Sequence, residues 1–196
     1  MSAVQPLPGF PAPVDDAQRV FRAVMSALAE PGRIVALADL PTPPAPLSAT
    51  AAAIALALAD YETPIALAPG LASDAAAAFL RFHTGAAVVS DTGRAAFVIA
   101  DAAGFAGLEG LAIGTFDYPD RSATLILQVD ALAADGPLTL AGPGVPGTRR
   151  LGIDPLPSAL VPALAANRAL FPRGVDLVLA APDAVVGLPR STTVTL

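Results

Sequence analysis

The chain contains no cysteine. That excludes disulfides, thiolate nucleophiles, iron–sulfur ligation by this polypeptide and every cysteine-based zinc site. Lysine is missing as well, so all 11 basic residues are arginines. Without a lysine amine no Schiff base can form, and pyridoxal phosphate cannot be held as an internal aldimine. A P-loop also requires its lysine, so Gly142-Pro143-Gly144-Val145-Pro146-Gly147 is not one. Histidine occurs once, at His83. A metal site would have to be almost all carboxylate, and no acidic run has the spacing of a calcium loop. No cofactor or metal is therefore expected. The net charge is −6 and no basic stripe is visible, which argues against a nucleic-acid partner. The longest apolar run, Ala51 to Ala59, is about half of the roughly 20 residues a membrane-spanning helix needs. The N-terminus has no basic segment followed by an apolar one, so no secretory signal is expected. These absences predict a soluble, cytoplasmic chain with no membrane partner.

What is present is mostly alanine, leucine, valine, proline and glycine, in a length of 196 residues that suits one domain with a substantial core. Residues 1–14 carry Pro6, Pro8, Pro11 and Pro13 and are read as an extended arm, either loose or laid along a partner. Residues 15–196 are read as a single α/β domain. Asp15 or Asp16 is expected to cap a helix running to about Glu30, with Phe21, Met25 and Leu28 as its apolar stripe, widened by Val20 and Val24. Residues 33–38 form a short strand, residues 47–59 a buried helix with Ser48 at its start, and residues 64–67 a second strand. Ser73 caps the next helix, which Gly85 ends. Strands are expected at 86–89, 95–100, 124–129 and 137–141, then a helix over 162–170, a hairpin of 175–181 with 184–188, and an extended C-terminus. The interleaving predicts an α/β fold, a mixed β-sheet flanked by helices on both faces.

Chemistry-bearing residues are few. The segment Ala78-Phe79-Leu80-Arg81-Phe82-His83-Thr84-Gly85 gathers two of the scarce aromatics, the histidine and an arginine. Phe79 and His83 are four apart and share a helix face, whereas Arg81 points nearly the opposite way. Two readings stand open. Cationic side chains in a last helical turn complement the dipole and orphan carbonyls. Alternatively Arg81 forks a carboxylate or phosphate, with His83 and perhaps Arg22 as neighbours. Arg22 lies on the flank of the first helix, as a solvated or ion-paired residue or as a rim group facing a ligand or partner. Asp117 and Asp120, in the loop Gly114 to Asp120, read as turn formers ahead of a carboxylate pair.

Several segments, in this order and at these intervals, resemble one family. They are Asp16-Ala17-Gln18 with Phe21-Arg22, Pro31-Gly32, Leu58-Ala59-Asp60 with Thr63-Pro64, Leu80-Arg81-Phe82-His83-Thr84, Gly114-Thr115 and Ala123 to Val129. Phe171-Pro172-Arg173-Gly174-Val175-Asp176-Leu177 and Pro189-Arg190-Ser191-Thr192 complete the set. The family is the H subunit of the bacterial carbon–phosphorus lyase core complex, PhnH, and the resemblance spans roughly residues 15–196.

The resemblance implies a fold like the large domain of pyridoxal-phosphate-dependent transferases, without that cofactor. It implies a subunit role in phosphonate catabolism, supporting transfer of an alkylphosphonate to ribose C1 of ATP with release of adenine. It implies partners in the other core subunits, especially the radical S-adenosylmethionine subunit, and a homodimer when alone. It assigns no catalytic step to this chain, so no catalytic residue is named. Arg22, Arg81, His83 and Arg190 are the candidates for an anion or interface site. The competing reading is a self-contained enzyme or binding protein for a sugar phosphate or nucleotide, built on an Arg/His anion site.

Overall fold

The computed structural model describes residues 7–196; residues 1–6 of the expected arm lie outside the described residues. The first helix, α1 (Pro13–Ala29), begins earlier than the sequence suggested. Proline at its first position has a favourable φ and lacks an N–H that would go unbonded there. Asp16 is not the cap. It sits in the first turn, where its carboxylate accepts from the Ala12 N–H at 2.8 Å and pairs with Arg19 at 2.8 Å. There it also complements the positive end of the helix.

The buried face of α1 is Asp16, Val20, Ala23, Val24 and Ala27, whereas Phe21 and Met25 stay substantially exposed. The expected Phe21–Met25–Leu28 stripe is thus corrected to a smaller one. The cause lies far along the chain. A Cβ at Gly187 would come within 2.6 Å of the Ala27 carbonyl and the Leu28 nitrogen. The helix backbone rests almost directly on the sheet, so only small or slim side chains fit between them and the large ones move to the flank.

Helix α2 (Ala49–Leu58) follows the proline-rich loop, and the Ser48 hydroxyl accepts from the Ala51 N–H as expected of a cap. Its alanines are almost wholly buried. Helix α3 (Asp74–Thr84) starts at Ser73, which accepts from Ala76, and ends at Gly85 in the left-handed conformation, φ 73°. The short helix α4 (Leu160–Arg168) comes late in the chain.

Seven strands form the main sheet: β1 (Val35–Ala36), β2 (Ile65–Leu67), β3 (Val88–Val89), β4 (Phe97–Asp101), β5 (Thr124–Gln128), β8 (Asp176–Ala181) and β9 (Ala184–Leu188). Their order is β1-β9-β8-β5-β4-β2-β3. The pairs from β8 through β3 are parallel, and the β8–β9 hairpin and β1 add antiparallel pairing at the other edge. A mixed α/β sheet is what the interleaved pattern predicted.

Successive residues of the central strands enter different cores. Ile99, Ile126, Val178, Ala180 and Val185 pack with α1, α2 and α3. Val98, Leu125, Leu127, Leu177, Leu179, Val186 and Leu188 face the other way. That second face is covered chiefly by a small antiparallel sheet of β10 (Thr193–Thr195), β6 (Ala131–Ala141) and β7 (Arg149–Asp154), in the order β10-β6-β7. Leu138, Leu140, Leu151, Ile153 and Val194 from it join Leu160 and Leu164 of α4. Helices therefore lie on both faces, but unequally: three on one side, one beside a second sheet on the other.

Replacing Gly187 by alanine forces α1 away from β9. Unfolding in urea is expected to show a lower midpoint with unchanged slope, corresponding to a loss of about 1–3 kcal/mol from overpacking.

Candidate functional site

The four sequence-nominated residues sit on α1, on α3 and in the loop after β9, and no hydrogen bond, ion pair or described cavity joins any two of them among the described residues. Arg22 is exposed on α1, beside the outward-facing Phe21 and Met25. Arg81 is exposed near the end of α3. Two carbonyls near the end of the helix take donors other than Arg81: the Gly85 N–H donates to Arg81 O at 3.0 Å, and the Thr84 hydroxyl to Leu80 O at 2.8 Å.

His83 faces away from the α3 terminus toward the segment that leads into α1. Its Nε2 lies 2.9 Å from the Leu7 carbonyl, so the ring donates from Nε2. The ring packs at a tilt against Phe79, centroids 4.6 Å apart and planes at 59°, and meets Phe82 edge-on at 4.9 Å. Gly9 crosses directly above it, since a Cβ there would be 2.8 Å from Nδ1. His83 is a clasp for residues 7–10, and Phe10 just beyond packs against the core. Its acceptor is a main-chain carbonyl of its own chain, an arrangement that leaves Nε2 no free direction toward an anion.

Arg190 is the most heavily bonded of the four. Its guanidinium forks Asp176, Nε to Oδ1 at 3.1 Å and Nη2 to Oδ2 at 2.5 Å, and its own backbone N–H also donates to Oδ1 at 2.8 Å. Nη1 donates to the Pro119 carbonyl at 2.7 Å and, longer, to that of Pro172; Nη2 reaches the Ser122 hydroxyl at 2.6 Å. The side chains of the pair are 13% and 26% exposed. Five donors in a fixed plane suit such a junction, and lysine could not replace them. Asp176 opens β8, Pro119 and Ser122 belong to the loop before β5, and Pro172 follows α4. One side chain thus ties three loops at the amino-terminal end of the parallel strands.

Above this junction lies a surface that sequence reasoning did not single out. Phe116, Tyr118 and Phe171 are 70%, 51% and 54% exposed. Arg173 stacks over Phe116 at 4.4 Å, Arg121 over Tyr118 at 4.1 Å and Arg168 over Phe171 at 5.3 Å. Such contacts hold a guanidinium in place without a carboxylate. Asp117 and Asp120 are exposed in the same loop. Thr115 shapes the turn, its N–H donating to Tyr118 O and its hydroxyl accepting from the Tyr118 N–H. The available signal was the clustering of scarce aromatics beside arginines at 116–121 and 168–173.

The opposite, carboxyl-terminal end of the strands is where open α/β sheets commonly hold ligands. A cavity of about 440 Å³ lies there, bordered by Ser48, Asp101, Gln128, Asp130 and Pro155 among others. Most of its polar side chains are engaged, the Asp130 carboxylate being the exception among the described residues. Gln128 accepts from the Ser48 N–H at 2.7 Å and donates to Pro46 O at 3.3 Å, and Asp101 accepts from Gly104 N–H at 2.7 Å. With two carboxylates and no arginine at its rim, it is poorly suited to a phosphate.

His83→Ala is expected to cost about 1–2 kcal/mol through the lost hydrogen bond and ring contacts, and to speed proteolytic cleavage within residues 7–12. Arg81→Ala should change stability by less than about 0.5 kcal/mol; an equal loss in both variants would contradict the clasp. Arg190→Lys should lower stability by about 2–3 kcal/mol, less than the 3–5 of breaking a fully buried pair because both groups retain some water. A double-mutant cycle with Asp176→Asn reads the coupling directly, and a coupling near zero would refute the fork.

Comparison with known proteins agrees with the order of motifs. The family model described as "Bacterial phosphonate metabolism protein (PhnH)" matches residues 8–195. A protein of Rhizobium meliloti (strain 1021), the alpha-D-ribose 1-methylphosphonate 5-triphosphate synthase subunit PhnH, is 45% identical over 185 residues, covering 93% of this chain and 92% of its own. The putative C-P lyase subunit protein HtxG of Stutzerimonas stutzeri is 30% identical over 180 residues, 91% of this chain and 86% of its own. The chain described here belongs to the PhnH family of bacterial phosphonate metabolism proteins.

Proposed function

We propose that this chain is a subunit of the carbon–phosphorus lyase core complex, where it supports transfer of an alkylphosphonate to ribose C1 of ATP with release of adenine. The observation that carries this reading is the 45% identity, over 93% of the chain, to a subunit of ribose 1-methylphosphonate 5-triphosphate synthase. The role is one of assembly rather than chemistry. What supports that part is the state of the polar side chains: His83 and Arg190 are bound up within the chain, and Gln128 and Asp101 likewise.

The partners follow from the same reading. They are the other core subunits, the radical S-adenosylmethionine subunit among them, and a second copy of this chain when it is alone. The setting is the cytoplasm; no helix among the described residues is long and apolar enough to cross a membrane. The kinship of fold extends to the large domain of pyridoxal-phosphate-dependent transferases, a reading supported by the seven-stranded mixed sheet. A lysine-free chain would hold no internal aldimine in that fold.

The test is reconstitution. Native mass spectrometry of the chain alone and co-expressed with the other core subunits is expected to give a dimer and a larger stoichiometric complex, respectively. Phosphonate transfer, followed as adenine release, should require the complete set and be undetectable with this chain alone. Turnover by the isolated chain, or failure to join any partner, would overturn the proposal.

A further inference from the structure

The Arg190 junction accounts for the shape of two loops but not for the cations they display. Residues 114–121 and 168–174 adjoin: Arg190 Nη1 donates to the Pro119 and Pro172 carbonyls, and Arg173 of one loop stacks on Phe116 of the other at 4.4 Å. Together the loops carry Arg121, Arg168 and Arg173, each over an exposed ring.

Among the described residues, the arginine side chains that donate hydrogen bonds or form ion pairs are Arg19, Arg33, Arg149 and Arg190. Arg121, Arg168 and Arg173 are not among them, and Nε of both Arg168 and Arg173 is buried without an acceptor. A ring face attracts a guanidinium without claiming its N–H edge. The outer nitrogens therefore keep their capacity to fork the oxygens of a phosphate. A guanidinium already oriented on a ring also has less rotamer freedom to lose when a ligand arrives. Arg22 and Arg150 are exposed as well, but neither lies on a ring.

The remaining charges narrow the ligand. Asp117 and Asp120 are exposed in the first loop, and the whole chain carries a net charge of −6. Both oppose a bare polyanion. A polyphosphate that brings its own Mg²⁺ removes the conflict, because magnesium is commonly held by one or two carboxylates together with phosphate oxygens. Three arginines and two aspartates in adjoining loops then meet groups of the opposite sign on one ligand.

We propose that these loops bind the magnesium complex of a polyphosphate chain. Arg121, Arg168 and Arg173 donate to phosphate oxygens, and Asp117 and Asp120 hold the cation or its water ligands. The site is built from different residues than Arg81 and His83. It goes beyond the assembly role and does not rest on it, since one chain supplies every group and no bond of the ligand is broken.

Isothermal titration calorimetry of the full chain with inorganic tripolyphosphate, in magnesium chloride and in EDTA, tests it. Saturable binding is expected, tighter by about tenfold or more with magnesium. Arg121→Gln with Arg173→Gln should weaken it by about tenfold or more, with an unchanged far-ultraviolet circular dichroism spectrum. Asp117→Asn with Asp120→Asn should abolish the difference between magnesium and EDTA. Phe116→Leu, which alters no charge, should weaken binding too, and serves if the paired arginine variant does not fold. Arg22→Gln with Arg150→Gln removes the same charge elsewhere and should leave binding unchanged. Adenosine triphosphate in place of tripolyphosphate identifies the source of the phosphates. Tighter binding assigns the site to a nucleotide whose base lies on a ring, equal binding to the phosphate chain alone, and either supports it. Absence of saturable binding by the unaltered chain overturns the proposal. So does an equal loss in the Arg22–Arg150 variant, which would reduce the effect to general charge attraction. Binding indifferent to magnesium overturns the role of the aspartates, and the ligand with it.

Discussion

Everything in this molecule depends on the parallel pairing of β5 with β8 at the centre of the main sheet, where Leu125 to Leu127 lie beside Leu177 to Leu179. Both strands are covered on both faces, so each supplies alternate side chains to two separate cores. A register slip of one residue would interchange those cores, exchanging β-branched and leucine side chains between sites of different depth. The helical layer and the second sheet are positioned by that alternation. The loops at the two strand ends inherit their places from it, and the polar side chains inherit theirs from the loops.

At the amino-terminal strand ends the fork from Arg190 to Asp176 turns this placement into a joint. Asp176 is the first residue of β8, and the arginine comes just after β9, so the hairpin brings the two together. Two proline carbonyls and a serine hydroxyl complete the set. An arginine in a partly buried site without such acceptors would carry a desolvation cost that its packing could not offset. The acceptors come instead from loops that have little secondary structure of their own. The joint therefore serves both sides: the arginine is satisfied, and the loops gain a common anchor.

Much of the architecture was legible where the signal is local. Ser48, Ser73 and Gly85 marked helix ends because capping depends on residues three or four positions away. The apolar runs at 124–129 and 175–181 read as strands for the same reason. The buried face of α1 was not legible, because Gly187, which admits the helix backbone so closely, is distant in sequence. The second sheet was missed because the first half of β6 is exposed, alanine-rich and interrupted by Asp135-Gly136-Pro137, with a register shift between Ala133 and Leu138. β7 offered only Leu151 and Ile153 as alternating apolar residues. The candidate site was half legible. Arg190 was picked out from a motif, but its partners lie in two loops and at the start of β8, which no spacing rule connects. His83 and Arg81 did diverge as helical geometry requires, yet the acceptor of His83, the Leu7 carbonyl, belongs to a segment with no periodicity to place it.

The distribution of the arginines bears on where the function of this chain can lie. With no lysine and one histidine, arginine carries nearly all the positive charge available for recognition. Arg19, Arg33 and Arg190 are held by carboxylates, and Arg149 by the carbonyls of Glu30 and Pro31. These stitch helix to loop and sheet to helix, Arg33 through an exposed local pair and Arg190 through a largely buried one. The arginines held by rings at 116–121 and 168–173 differ in kind, because an aromatic face orients a guanidinium while leaving its hydrogen-bonding edge unclaimed. The fold thus fixes several internal junctions with carboxylates and carbonyls, holds three arginines on rings, and leaves others, Arg22 and Arg81 among them, exposed on helix surfaces.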